Sequence, residues 1–383
     1  MAKASSKAKE TPLLLYANPE TDADIRYLTG FDAPDPFLAL KIRGEVIAVT
    51  SPLEEGRARK APGIDTVLPL KAVQAEAAKK FGAAVPYPVN AIRLLAGKHR
   101  VRRFRVPSAF PAGIALALKD LGYGLEVGDD PFFPERVRKN DREAGAIQAG
   151  NAASAAGFRA AENLLSVAEV KKNGKLYLDG KPLTAERVRF AIDVACLEAG
   201  AVARNTIVAG GDQACDPHER GYGPLRAHEL IIIDIFPRVT ATGYHGDMTR
   251  TYLKGKPSEA QRRLVRTVFD AQQAALRQAR AGVKGKSIHR AIQDRFDDAG
   301  YPTEQRDGGW VGFFHGTGHG LGLEVHEPPR VSPQGDTLMS GMVVTIEPGL
   351  YYPGLGGCRI EDVVRIRPKG IQMLSKHPYR WVL

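Results

Sequence analysis

The stretch IIIDIFPRVTATGYHGDMTRT, residues 231–251, decides how this chain is read, because it sets an acid inside a run of branched aliphatic residues. Ile231, Ile232, Ile233 and Ile235 suit a buried strand. An unpartnered Asp234 among them carries a heavy desolvation cost and calls for a cation. Asp247 follows on a second strand-like segment, and the turn through Thr240, Ala241, Thr242 and Gly243 predicts a hairpin that brings the two carboxylates together. Arg250 is a rival partner for Asp247.

Two more acids lie in similar surroundings downstream. Glu347 interrupts the apolar run VVTIEPG, residues 343–349, and Glu361 sits in CRIEDVVRI, residues 358–366. In the latter, period-two alternation puts Arg359, Glu361 and Val363 on one face. An ordinary salt bridge or a hydrogen-bonded turn accounts for any one of these acids alone, whereas four of them with a histidine point to a metal site. The histidine comes from FFHGTGHGLGLEVHEPP, residues 313–329, where Gly316, Gly318, Gly320 and Gly322 disfavour a helix and let backbone or ligand approach closely. A glycine-rich phosphate loop is the alternative, but the stretch lacks the lysine of a P-loop and does not open a helix with the dinucleotide fingerprint. His315, His319 and His326 fit metal coordination or proton transfer. Four carboxylates and an imidazole form a hard, oxygen-rich set suited to manganese or a similar divalent ion, and two carboxylates that can bridge leave room for a pair of ions. Such ions lower the pKa of a water and polarise a carbonyl, which is hydrolytic chemistry.

The rest of the chain bounds this reading. At 383 residues two domains are expected, and 43% apolar with 25% charged residues is an ordinary globular composition. No apolar stretch approaches the roughly 20 residues that span a bilayer, which argues against a membrane partner. The opening MAKASSKAKE is polar and lysine-rich, and Leu13 to Leu15 is too short for a secretory signal core, so a frayed tail on a cytoplasmic protein is expected. Cys196, Cys215 and Cys358 have neither disulfide nor zinc-finger spacing and read as reduced structural thiols. The net charge of +11 is spread over both halves of the chain. One dense cluster stands out, Lys98, His99, Arg100, Arg102, Arg103 and Arg105 around Phe104. It could contact a nucleic acid, but without a nucleic-acid module signature it reads better as a solvated face or an intersubunit contact.

From Leu13 to about Gly128, strand-like runs such as FLALKIRGEVIAVT alternate with helical runs such as AVQAEAAKKF and GIALALKDLG, the pattern of a small α/β domain. Pro131 and Pro134 mark a boundary near residue 136, which divides the chain into 11–136 and 137–383. The second part opens with the helical stretches GAIQAGNAASAAGFRAAENLL and AERVRFAIDVACLEAG and turns to glycine-broken strands. Two further helices follow, one capped at Ser258 and one ending at Gly300, and then strands in GLGLEVHEP, GMVVTIEPGLYY and GCRIEDVVRIR. Strands grouped apart from helices give an α+β class.

Taken in order, IIIDIFPRVTATGYHGDMTRT, HGTGHGLGLEVHEPP, VVTIEPGLYY and GCRIEDVVRI resemble the motifs of the pita-bread metallopeptidases, in particular the Xaa-Pro aminopeptidase and prolidase branch. YANPETDADIRYLTGF, residues 16–31, is similar to the start of that family's creatinase-like N-terminal domain. The resemblance implies a pita-bread catalytic domain that hydrolyses the bond between an N-terminal residue and proline, as a homodimer with two divalent ions, manganese first and cobalt or zinc as alternatives. It implies that Asp234 chelates one ion, that Asp247 and Glu361 bridge both, and that His319 and Glu347 complete the second ion's set of ligands. Glu347 would also shuttle protons, and His326 would stabilise the tetrahedral intermediate. His218, in CDPHERG, would lie near the substrate's N-terminal side, with His315 and Arg359 lining the substrate site. Creatinase shares the fold but lacks the metal set, and methionine aminopeptidases share the ligands but generally lack the extra N-terminal domain. One departure is the spacing of thirteen positions from Asp234 to Asp247, two more than is usual in the family, an insertion that preserves strand parity. A metal hydrolase acting on another amide or carbon–nitrogen bond, and a binding module using the basic cluster, are the competing readings.

Overall fold

A computed structural model describes residues 11–82, 87–306 and 308–383, so the expected frayed tail lies outside the described residues. The chain divides into two compact units, Met1–Arg136 and Val137–Leu383. The first is built on a six-stranded mixed sheet in the order Thr66–Pro69, Glu45–Thr50, Phe37–Ile42, Leu13–Ala17, Arg103–Val106 and Gly124–Val127. The run FLALKIRGEVIAVT is a tight hairpin here. Arg43 and Gly44 both take positive φ (54° and 88°), which suits a two-residue loop joining twisted strands. The basic cluster is dispersed along the helix Val89–His99 and the strand Arg103–Val106. Lys98 pairs with Glu76 at 2.6 Å, Arg102 lies over the Tyr123 ring, and Arg105 sits 3.9 Å from Asp129.

In the second unit each pair of helices covers one sheet. The helices Asp141–Val167 and Ala185–Glu198 share a core with the antiparallel strands Ile207–Gly210, Leu230–Ile235 and Met248–Leu253. The helices Glu259–Gln278 and Gly285–Asp298 pack with a five-stranded sheet ordered Glu327–Val331, Gly318–Gly320, Val343–Ile346, Asp362–Ile366 and Ile371–Met373. Local chemistry sets the helix starts, because Asn140 with Glu143, and Ser258 with Gln261, form reciprocal capping boxes. Burial of Phe158, Ile192, Ile231 and Ile233 in the first core, and of Leu264, Ile288, Phe296 and Ile346 in the second, contributes roughly 1.5–3 kcal/mol per side chain.

Two segments depart from their expected strands. GLGLEV, residues 320–325, is almost wholly a connecting loop. Gly320 pairs with Glu327, so residues 321–326 become the turn between two paired strands. Glu327 turns inward to a buried ion pair with Lys139, and the Gly322 backbone passes so close to that carboxylate that a Cβ there would lie 2.6 Å from it. The run HELIIIDIFPRV splits in two: Arg238–Val239 leaves the sheet and pairs with Ala201–Val202. The extra residues of the hairpin therefore sit in a tip of their own. Asp234 pairs with Thr249, and Asp247 lies two positions before that partner, so the alternation of the strand carries both acids on one face.

A close backbone contact holds the Asp247 end of this hairpin. A Cβ on Gly150 would lie 2.3 Å from the Gly246 nitrogen, and one on Gly246 would lie 2.2 Å from the Gly150 carbonyl carbon. That proximity lets the Asp247 amide donate to Asn151 Oδ1 at 2.9 Å. Replacing Gly150 with alanine is expected to cost about 1–3 kcal/mol in urea denaturation through overpacking. Gly145→Ala on the same helix, where an added Cβ meets open space, should stabilise by about 0.5–1 kcal/mol.

The three thiols are free, as expected, and burial pushes each up to about 12. At pH 8 only about one in 10,000 is then thiolate, so a thiol-reactive disulfide reagent should label the folded protein negligibly and label all three cysteines in guanidinium.

Candidate metal and substrate site

The nine side chains that the motifs assigned to metal, catalysis and substrate meet at one cavity of about 1090 Å³. Asp234, Asp247, His319, Glu347 and Glu361 line it together with His218, His315, His326 and Arg359. The four acids each sit near one end of a strand or directly beside it. Asp234 lies near the end of Leu230–Ile235, Asp247 immediately before Met248–Leu253, Glu347 immediately after Val343–Ile346, and Glu361 between Gly356–Arg359 and Asp362–Ile366. His319 is central in Gly318–Gly320, where a Cβ on Gly318 would stand 2.0 Å from the Thr345 carbonyl oxygen, so only glycine permits that approach.

The geometry is that of a ligand cluster. His319 Nε2 stands 3.3 Å from Glu347 Oε1 and 3.7 Å from Asp247 Oδ2. Asp247, His319 and Glu361 each present a donor atom within 4.8 Å of the others, and all three are buried. Backbone and hydroxyl contacts orient them. Thr345 Oγ1 accepts from the His319 amide at 3.0 Å and donates to Glu347 at 3.2 Å. Thr249 Oγ1 donates to Glu361 Oε2 at 2.7 Å, and the His319 Nδ1 position faces the Gly320 carbonyl at 3.1 Å, leaving Nε2 for the cavity.

Electrostatics explain why these groups need a cation. Burial raises Asp247 well above the usual carboxylate range, and Asp234 and Glu347 add to the shift. Burial also raises Glu361, helped by Asp247 and Glu347. Glu347 is pushed up to about 7, mainly by burial, with Arg359 opposing and Asp234 adding. Burial pushes His319 down to about 3, with His326 contributing, so its imidazole is neutral and able to coordinate. Asp234 Oδ1 is buried without a hydrogen-bond partner among the described residues, while Oδ2 accepts from Arg359 at 2.7 Å. Oxygen-rich carboxyls that resist ionisation without a counter-charge, together with an orphaned oxygen, fit a hard divalent ion.

Several supporting residues escaped the sequence reading. Tyr351 links two of the expected residues, its hydroxyl lying 2.8 Å from His315 Nε2 and 2.9 Å from Arg359 Nη1. With the Arg359–Asp234 pair, this makes a continuous chain from His315 to Asp234. Asp362 is a buried hub that accepts from Arg250 at 2.9 Å, Gln272 at 2.7 Å, Ser375 at 2.7 Å and Tyr379 at 2.9 Å, and so pins the backbone beside Glu361. Arg250 is committed there and to the Glu361 carbonyl at 2.6 Å, so it is not the rival partner of Asp247. Tyr351 was accessible as a polar aromatic inside VVTIEPGLYY, whereas nothing in the sequence ties Asn151 or Asp362 to the site. The two remaining histidines stand at the wall: the His326 ring lies 4.3 Å from that of His319, and His218 is exposed.

Residues 145–368, more than half of the chain, match the model of metallopeptidase family M24. The chain belongs to that family. An Xaa-Pro dipeptidase of Pyrococcus furiosus is 38% identical over 181 residues, a match spanning 45% of this M24 chain and 47% of the relative, less than half of its length. The Xaa-Pro aminopeptidase 1 of Streptomyces coelicolor is 31% identical over 385 residues, covering 91% of this chain and 75% of that protein. Among solved structures, the prolidase from Pyrococcus horikoshii superposes with a TM-score of 0.78 at 25% identity, covering 96% of this chain and 94% of that one. The M24 fold is accordingly the two-part pita-bread α+β architecture that the motifs implied.

Glu361→Gln removes one of several repelling buried charges. In chelator the variant should be more stable than wild type by about 1–3 kcal/mol, and an added divalent cation should raise the melting temperature of wild type but not of the variant. Calorimetry on both proteins checks this.

Proposed function

We propose that this chain hydrolyses the peptide bond between an N-terminal residue and proline, in Xaa-Pro dipeptides or at the start of longer peptides. The observation that carries the reading is the buried set Asp234, Asp247, His319, Glu347 and Glu361 at one cavity, with an unpartnered oxygen on Asp234. The Xaa-Pro dipeptidase and Xaa-Pro aminopeptidase among the relatives support proline specificity. Cavity volume is compatible with a dipeptide or a short peptide.

In this reading the five residues would hold two divalent ions, manganese being best suited to the oxygen-rich donors. The bound ions supply Lewis-acid polarisation of the scissile carbonyl and acidify a water. Glu347 takes the proton of the attacking water on its carboxylate and returns it to the departing proline nitrogen. His326 donates to the oxygen that gains charge as the carbonyl is attacked. His315 and Arg359, joined through Tyr351, hold the substrate side of the cavity in one arrangement, and His218 faces the substrate's amino end from the rim. Neutral free cysteines suit a reducing compartment such as the cytoplasm, and a homodimer is the assembly carried over from the family resemblance.

With manganese supplied, the chain should release the first residue from Xaa-Pro dipeptides or Xaa-Pro tripeptides and leave Xaa-Ala counterparts intact. His319→Ala and Glu347→Ala should each lower kcat/KM by about a thousandfold or more. Chromatographic detection of released proline or Pro-peptide checks both. Equal cleavage of Xaa-Ala would move the assignment to a general amide hydrolase, and no cleavage at full metal occupancy would end it.

A further inference from the structure

A second cavity, of about 360 Å³, shares no lining residue with the first. Its apolar wall is made by Val265, Phe269, Ile360, Tyr379 and Trp381. Its rim carries Arg262, Arg266 and Arg380, and Arg250 lies at its base. The four guanidiniums are not equivalent. Arg250 is neutralised by Asp362 at 2.9 Å and lies over the Tyr379 ring at 4.6 Å, so it serves as part of the floor. Arg266 is held by Asp270 at 2.7 Å. Arg380 spends its Nε on the Val382 carbonyl at 3.3 Å, and Arg262 makes no side-chain hydrogen bond or ion pair among the described residues. The lining thus combines a flat aromatic and aliphatic slot with an excess of unspent positive charge at one edge.

We propose that this cavity is a binding site for a small aromatic monocarboxylate, separate from the hydrolytic centre. Its volume falls in the range of ligand pockets, about 300–1,000 Å³, and suits a single ring with a short acidic arm. The ring stacks against Phe269, Tyr379 and Trp381, where aromatic faces meet at low entropic cost. The carboxylate reaches Arg262 and Arg380, whose planar donor forks match it. A neutral amide of the same shape keeps the stacking and loses the charge-assisted contacts.

Trp381 is a built-in reporter, since the chain has only two tryptophans and the other, Trp310, is 55% exposed. The experiment uses the full chain carrying Trp310→Phe, titrated with 3-phenylpropionate and with 3-phenylpropanamide while Trp381 emission is followed. The acid should give a saturable change, and the amide should bind at least about tenfold more weakly. Arg262→Gln and, separately, Arg380→Gln should each weaken the acid severalfold without changing amide binding; both residues are exposed, and melting curves matching the parent verify the fold. No saturable change, equal binding of acid and amide, or undiminished binding of the acid in both arginine variants would each overturn the assignment.

Discussion

Everything around the large cavity answers one constraint: several carboxylates are held close together, out of water, in a protein whose apolar strands cannot neutralise them. Burial is the largest influence on Asp247, Glu347 and Glu361 alike; Asp234 comes next for Asp247 and Asp247 next for Glu361, while Arg359 opposes the rise at Glu347. Among the described residues Arg359 alone brings a permanent positive charge into direct contact with the cluster, through its ion pair with Asp234. The strands tolerate such a cluster because each acid sits where a strand ends or is about to begin, so the aliphatic neighbours still fill two continuous cores. Stability and chemistry are opposed here in the absence of a cation and aligned in its presence.

The constraint extends to the surrounding polar residues. Thr249 and Thr345 aim individual carboxylate oxygens, Asn151 fixes the Asp247 backbone from a neighbouring helix, and Asp362 gathers four donors beside Glu361. These contacts set rotamers and backbone position within fractions of an ångström, which a donor cluster requires before it can select one geometry over another. The close approach of Gly150 and Gly246 belongs to the same scheme, since any side chain there would move Asn151 away from the Asp247 amide.

What could be read in the sequence follows from locality. Asp234 and Glu347 stand out because an acid in LIIIDIF or VVTIEPG contradicts its neighbours, and the glycines around His319 announce close backbone approach. The capping boxes at Asn140 and Ser258 and the glycine after the helix Gly285–Asp298 are also local signals. GLGLEV misled because alternation describes a strand without saying whether a partner is available: the pairing of Gly320 with Glu327 turns residues 321–326 into a loop. Asn151, Asp362 and Lys139 were out of reach for another reason. Their partners lie 96, 112 and 188 positions away in the chain, and ordinary polar residues give no hint of such distant contacts.

The support beneath Glu361 also has a direction in time. Arg250 donates to the carbonyls of His377 and Pro378, Ser375 and Tyr379 donate to Asp362, and the Leu253 amide donates to the Trp381 carbonyl. A ribosome delivers Asp234 and Asp247 long before it delivers these braces. During synthesis the first pair of helices can close over its own sheet, while the acidic pocket stays open on one side until residues 375–381 dock against Arg250 and Asp362. The charge cluster is thus completed late, with Glu361 and its braces arriving after the strands and helices of the first core.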